Sequence, residues 1–194
     1  MIIIQPENPG SKEEILSCLV ILQKEVDLFF QKVSPGFFFS HSLGGWSPGE
    51  NISHITFTTN ILALSFKIPK IFYRIFYGRP KSEKSYMEWG SIFTEAMKHP
   101  RDAGFYSPAI GKSPRDLLPQ ITIHLKEWNT ACINLTSALE VLSEREFSEY
   151  LIRHPFMGKV SFREMCYLQI LHIIHHCSKV EIKLKNTSKV TDLA

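Results

Sequence analysis

Four short phrases constrain this chain more than anything else in it: Ser11-Lys12-Glu13-Glu14, Ser47-Pro48-Gly49-Glu50, Ser113-Pro114-Arg115-Asp116 and Ser161-Phe162-Arg163-Glu164. In each, a serine stands three residues before a carboxylate. The hydroxyl can then accept from the backbone N–H of the third helical residue, while the carboxylate reaches back to the serine N–H. Ser47 and Ser113 are followed by proline, at the helical position where a missing N–H costs nothing. Each phrase precedes about twenty or more residues of helical apolar periodicity. The pattern predicts helices over 11–33, 47–68, 114–143 and 161–184. Ser34-Pro35-Gly36 ends the first, Pro69 limits the second, and His154-Pro155 with Gly158 separates the third from the fourth.

Between the second and third helices lies a long link, 69–112, punctuated by Gly78, Pro80, Pro100, Gly104, Pro108 and Gly111, with room for a short helix near 82–98. A link of that length need not join antiparallel neighbours, so the expected architecture is all-α, a four-helix bundle with a crossover between helices 2 and 3. Strands are not expected: alternation is absent, and Phe37-Phe38-Phe39 is too short to found a sheet. The expected organisation is one domain over 1–194, its core at about 11–184, with a small polar tail at 186–194 that frays.

Composition narrows the class. With 194 residues, 44% hydrophobic and 12% aromatic, the chain can bury one core without a staple. Cys18, Cys132, Cys166 and Cys177 are scattered singly and read as small buried hydrophobes. A net charge of +3 is too weak to argue for nucleic acid, which is not expected as a partner. No apolar run approaches the roughly 18–20 residues of a membrane span. Met1-Ile2-Ile3-Ile4 is stopped by Gln5, Pro6 and Glu7, so no secretory signal is read and a cytoplasmic location is expected.

The chemical signal lies in the histidines. His172 and His176 are about 40° apart on one helix face, so both rings can reach one ion. His175 turns the other way, toward the side of Glu164, Ser178 and Lys179, and is expected to point outward. On the second helix, Glu50, Asn51, His54, Thr58 and Ser65 form a narrow polar stripe on an otherwise apolar surface. Such a stripe should face a pocket or a polar partner, because unpaired buried polar groups are costly. His54 is seven residues after Ser47, and His176 is eight before 184; if the two helices run antiparallel, these histidines meet at one height. Spacing alone leaves two readings open, satisfied core histidines or a metal site. Ile173 stands where a zincin would carry its general-base Glu. His41, His99 and His124 read as ordinary structural histidines.

At this point the residues resemble a known family. Trp46-Ser47-Pro48-Gly49-Glu50-Asn51-Ile52-Ser53-His54-Ile55 is similar to the W-x-P-x-E-x-x-x-H-x segment of the DinB-like superfamily. The stretch from His154 through Glu164, running into His172-x-x-x-His176, resembles its last loop and last helix. The resemblance spans about 11–184 and implies an up-down-down-up bundle holding a divalent metal, zinc or nickel, on one histidine of the second helix and two of the fourth. Carried over, these are His54, His172 and His176. It further implies thiol S-transferases or isomerases using low-molecular-weight thiols such as bacillithiol or mycothiol, alongside relatives without assigned activity, and a homodimer. Lys179 departs from the family's frequent Gln, which puts substrate handling in doubt rather than metal binding.

Three neutral imidazoles on a divalent ion leave an open position, where a bound water or thiol is acidified. The expected function is therefore a metal-dependent enzyme on a small-molecule substrate, transferase-like or hydrolase-like. The rival is a non-catalytic metal-binding or partner-binding bundle. Glu50, one turn before His54, is read first as the capping carboxylate of Ser47 and alternatively as a general base or orienting group. Asn51 and Thr58 are expected to line the pocket, with His154 either at its mouth or structural. Lys67, Lys70, Arg74, Arg79 and Lys81 interleave with Phe66, Phe72, Tyr73, Phe76 and Tyr77. That segment is read as a helix-end surface whose aromatics pack inward, and alternatively as an anionic-surface adaptor.

Overall fold

The computed structural model describes residues 8–41, 44–99, 104, 107–108 and 116–191. The long helices are α1 (Lys12–Gln31), α3 (Pro48–Phe66), α6 (Leu117–Glu140) and α8 (Phe162–Thr191), with short α2 (Pro35–Phe38), α4 (Lys70–Tyr77), α5 (Tyr86–Met97) and α7 (Glu144–Glu149) between them. Ser11 with Glu14, Ser47 with Glu50 and Ser161 with Glu164 each make both reciprocal bonds of a capping box. Ser113, Pro114 and Arg115 lie outside the described residues, and α6 begins at Leu117 with Asp116 as its N-cap. Two further boxes, Ser85 with Glu88 and Ser143 with Glu146, start α5 and α7. α8 continues past 184 to Thr191, so residues 186–191 of the expected frayed tail lie in the helix, and 192–194 lie outside the described residues.

The hydrogen bonds between helices set their directions. Gln23 donates to Asn129 while Lys12 donates to the carbonyls of Glu140 and Leu142, so α1 and α6 are antiparallel. Arg163, in the first turn of α8, donates to the carbonyl of Gly10 just ahead of α1, so these two start at the same end. Asn51 meets His176 and Thr59 meets Gln169, so α3 and α8 are antiparallel. The resulting order is up-down-down-up. Because α3 and α6 are parallel and successive, the chain must travel back along the bundle between them, and α4 and α5 ride on that return. Glu164 pins part of the return: one oxygen closes the capping box and the other accepts from the N–H of Lys84.

The absence of strands is corrected. Leu151–His154 (β1) and Gly158–Ser161 (β2) form an antiparallel hairpin, with Ile152 opposite Val160 and His154 opposite Gly158. Gly158, at φ +80°, supplies the left-handed backbone that turns the chain. The hairpin is too short for alternation to show against its neighbours, and its strands are stabilised by packing on α8 and α4. Phe37-Phe38-Phe39 is no strand; it lies in and just after the single turn of α2.

The core is aromatic-rich, with Trp128, Phe29, Phe30, Phe38, Phe66 and Phe162 almost wholly buried. The indole N–H of Trp128 is satisfied by the carbonyl of Gln23. Three cysteines are buried, Cys18 is half-buried, and all four are free thiols. The basic aromatic segment is a second correction. Tyr73 packs inward, and Lys70 and Arg74 lie over the rings of Phe162 and Tyr150. Ile71, Phe72, Ile75 and Phe76 occupy the opposite face of α4 and are exposed.

Gly49 illustrates how tightly the start of α3 is seated: a Cβ there would lie 2.7 Å from the ring of the fully buried Phe38. Helix propensity favours Gly→Ala by about 1 kcal/mol, but overpacking a core costs about 1–3 kcal/mol. Gly49→Ala should therefore lower the urea-unfolding free energy, whereas Gly36→Ala, with open space around its Cβ, should raise it by up to about 1 kcal/mol.

Candidate metal centre and cavity

α3 and α8 face each other through polar side chains spaced at helical intervals. Asn51, His54 and Thr58 lie on one face of α3, and Gln169, His172 and His176 on one face of α8. The antiparallel pairing brings the Nε2 atom of His172 3.0 Å from that of His54 and 3.1 Å from that of His176. One ligand nitrogen from each ring falls within 4.8 Å of the others. A tetrahedral ion with nitrogen ligands at about 2.0–2.1 Å spaces those ligands about 3.3 Å apart, so the two separations from His172 need to open by only a few tenths of an ångström to take one.

The tautomer of His176 is set by its neighbour. The Asn51 amide nitrogen donates to the carbonyls of Ser47 (2.9 Å) and Trp46 (3.3 Å), which turns its oxygen toward His176 Nδ1 at 2.8 Å. Carbonyls only accept, so the amide cannot be reversed without losing these bonds. Nδ1 of His176 must then carry the proton, leaving the Nε2 lone pair for the centre of the trio. Trp46 stacks on His176 at an interplanar angle of 12° and lies against His54. Burial first, and then the neighbouring histidines, hold His172 and His176 well below the ordinary histidine pKa, so both rings are neutral at neutral pH.

The trio opens into a cavity of about 1040 Å³ that Asn51, Thr58 and His154 also line. His154 accepts from the backbone N–H groups of Phe156 and Met157 at its Nδ1, so the remaining proton is on Nε2. Burial lowers its pKa to about 4. His175 does not point outward. It is half-buried on the cavity wall with the edge of Phe93 against it, and burial lowers its pKa to about 4. The reason is α5: the returning crossover packs on the α8 face that helical periodicity alone would assign to solvent. His99 also lines the cavity. His124 bonds to Ser53 and packs on Phe38 and Phe39.

Glu50 is absent from the cavity wall. One oxygen accepts from the Ser47 N–H at 2.7 Å and lies 2.8 Å from His41 Nε2, while the other is buried without a hydrogen-bond partner among the described residues. Sequence reasoning missed the Trp46 stack and the bond from Gln169 to Thr59 that continues the polar seam. A tryptophan directly before a capping box is the one available signal for the first.

A family model described as the DinB superfamily matches residues 19–179. The chain belongs to the DinB superfamily. No curated protein matches it in sequence. Among solved structures, YfiT from Bacillus subtilis, described as a probable metal-dependent hydrolase with an unusual four-helix bundle topology, is 14% identical. The match covers 96% of this chain and 94% of YfiT with a TM-score of 0.61, a likeness of fold. For this DinB-superfamily chain it places the four long helices in a known bundle topology. No described helix is long and apolar enough to cross a membrane.

The lowered histidine pKa values give stability a sign with pH. His154 and His175 stay neutral in the fold down to about 4 but protonate near 6.5 when unfolded. Their stabilising contribution is complete above 6.5 and is lost as pH falls toward about 4. The unfolding free energy of metal-free protein should therefore drop between pH 7.5 and pH 4.5 in urea titrations, and His154→Gln should make that slope shallower.

Proposed function

We propose that this protein is a metal-dependent hydrolase of small substrates, with His54, His172 and His176 as the protein ligands of one divalent ion. The convergence of the three Nε2 atoms carries the reading. The tautomer imposed by Asn51 supports it, because a ligand histidine needs its other nitrogen committed elsewhere. Imidazole nitrogen suits zinc and nickel equally, and both belong to the proposal. When bound, the ion would acidify a water at its open position and supply hydroxide near neutral pH.

The chain's own residues do the rest. Trp46 walls the trio on one side and keeps the two flanking rings in place. His154, neutral and with its proton on Nε2, offers a fixed donor on the cavity wall for a substrate carbonyl oxygen as negative charge develops there. We assign Glu50 to positioning: its carboxylate holds the first turn of α3, which carries Asn51 and His54, and it does not serve as the base. The same open position would acidify a thiol, so transfer from a low-molecular-weight thiol is the neighbouring chemistry. Hydrolysis is preferred because YfiT, the similar bundle, is described as a probable hydrolase.

Metal analysis of protein prepared without a histidine tag should find one zinc or nickel per chain. His172→Ala should lose the metal and the hydrolysis of p-nitrophenyl acetate while keeping its helical circular dichroism, since the bundle is packed without the ion. Asn51→Leu should weaken metal binding by about 10–100-fold by freeing the His176 tautomer. A wild-type chain that takes up no divalent ion would overturn the reading.

A further inference from the structure

The charge of the cavity wall points to what enters it. Among the described residues that line it there is not one carboxylate. Three cations do line it: Arg153 on β1, and Lys179 and Lys183 on the last turns of α8 that face the cavity. Lys183 is committed to the backbone carbonyls of Gly44 and Trp46, closing the loop before α3 over the trio. Arg153 and Lys179 are different. Both are exposed, and among the described residues neither side chain forms an ion pair or a hydrogen bond. They stand on two separate elements at the cavity wall, Lys179 one turn beyond His175. The body of the cavity is apolar, with Ile61, Leu62, Phe93, Met97, Met165 and Leu168 on its wall. Neutral imidazoles add no negative charge to offset any of this.

We propose that the cavity binds a small organic anion with an apolar body, its carboxylate or phosphate held by Arg153 and Lys179 at the rim and its apolar part along the wall toward the histidine trio. A planar guanidinium and an ammonium on two separate elements of one cavity wall are both suited to an oxyanion. A cationic or neutral amphiphile of the same shape would meet uncompensated positive charge or gain nothing from it. A volume of about 1040 Å³ accommodates an acyl chain or aromatic body as well as the head group. Which end of the ligand faces the trio rests on the hydrolase reading. The preference for an anion does not.

The test compares two probes that differ in charge, octanoate and octan-1-ol, binding to metal-free protein. The readout is quenching of the Trp46 fluorescence, with Trp46→Phe as the blank so that binding elsewhere on the surface is not counted. Octanoate should bind about tenfold tighter than the alcohol, and the margin should shrink as salt rises. In Arg153→Gln/Lys179→Gln, both exposed positions, the margin should fall to about twofold or less while affinity for the alcohol is unchanged. Equal affinity for the two probes, no binding of octanoate, or a margin that survives the double substitution would each overturn the proposal. Because the ion is absent throughout, a chain that fails to bind metal but keeps the margin sinks the hydrolase reading alone.

Discussion

The seam between α3 and α8 is the constraint from which the rest of this structure follows. Two helices that pack through Asn51, His54, Thr59, Gln169, His172 and His176 bury polar atoms that would each cost free energy if left without partners. The pairing solves this in registered steps: Asn51 with His176, His54 with His172, Thr59 with Gln169. Shifting one helix along the other by a turn would break all of them together. The seam therefore sets the relative height of the two helices, and with it the convergence of the three imidazoles. An apolar interface would tolerate such a slip far better, since hydrophobic contact is not directional.

A second consequence concerns the crossover. With α8 antiparallel to α3 and starting beside α1, the bundle leaves α3 and α6 parallel, and the chain between them must span the length of the molecule. That return lays α5 on the outer face of α8, where Phe93 meets His175, and converts a solvent-facing stripe into a cavity wall. The hairpin closes another side. His154 receives two backbone N–H groups from its own turn, so hairpin geometry decides which ring nitrogen presents a proton to the cavity. Topology, rather than any single residue, thus places the histidine trio on the wall of a cavity.

Much of this was legible beforehand. The capping boxes at Ser11, Ser47 and Ser161 marked three of the four long helices, because a box is a local hydrogen-bond pattern that needs only three consecutive spacings to form. The pairing of His172 with His176 came from the same local geometry, and His54 followed from the polar stripe on α3. The hairpin was not legible, because its strands are four residues each and carry no alternation that distinguishes them from loop. Ser85 starts α5, the short helix expected near 82–98, whereas Ser143 starts α7, whose six residues are too few for apolar periodicity to mark. The outward apolar face of α4 is not legible for a different reason: sequence gives the two faces of a helix, and only the body it docks on decides which one is covered.

What the sequence by itself determined is therefore angular and local: where helices begin, and which side chains share a face about each axis. Backbone hydrogen bonding and helical periodicity act within a few residues and need no knowledge of the rest of the chain. Tertiary structure alone decided which faces meet and at what height. The contacts that fix Asn51 on His176, turn His175 inward beneath α5, and bring Arg153 to the same cavity wall as Lys179 join segments far apart in the chain. They arise only when whole faces are buried together.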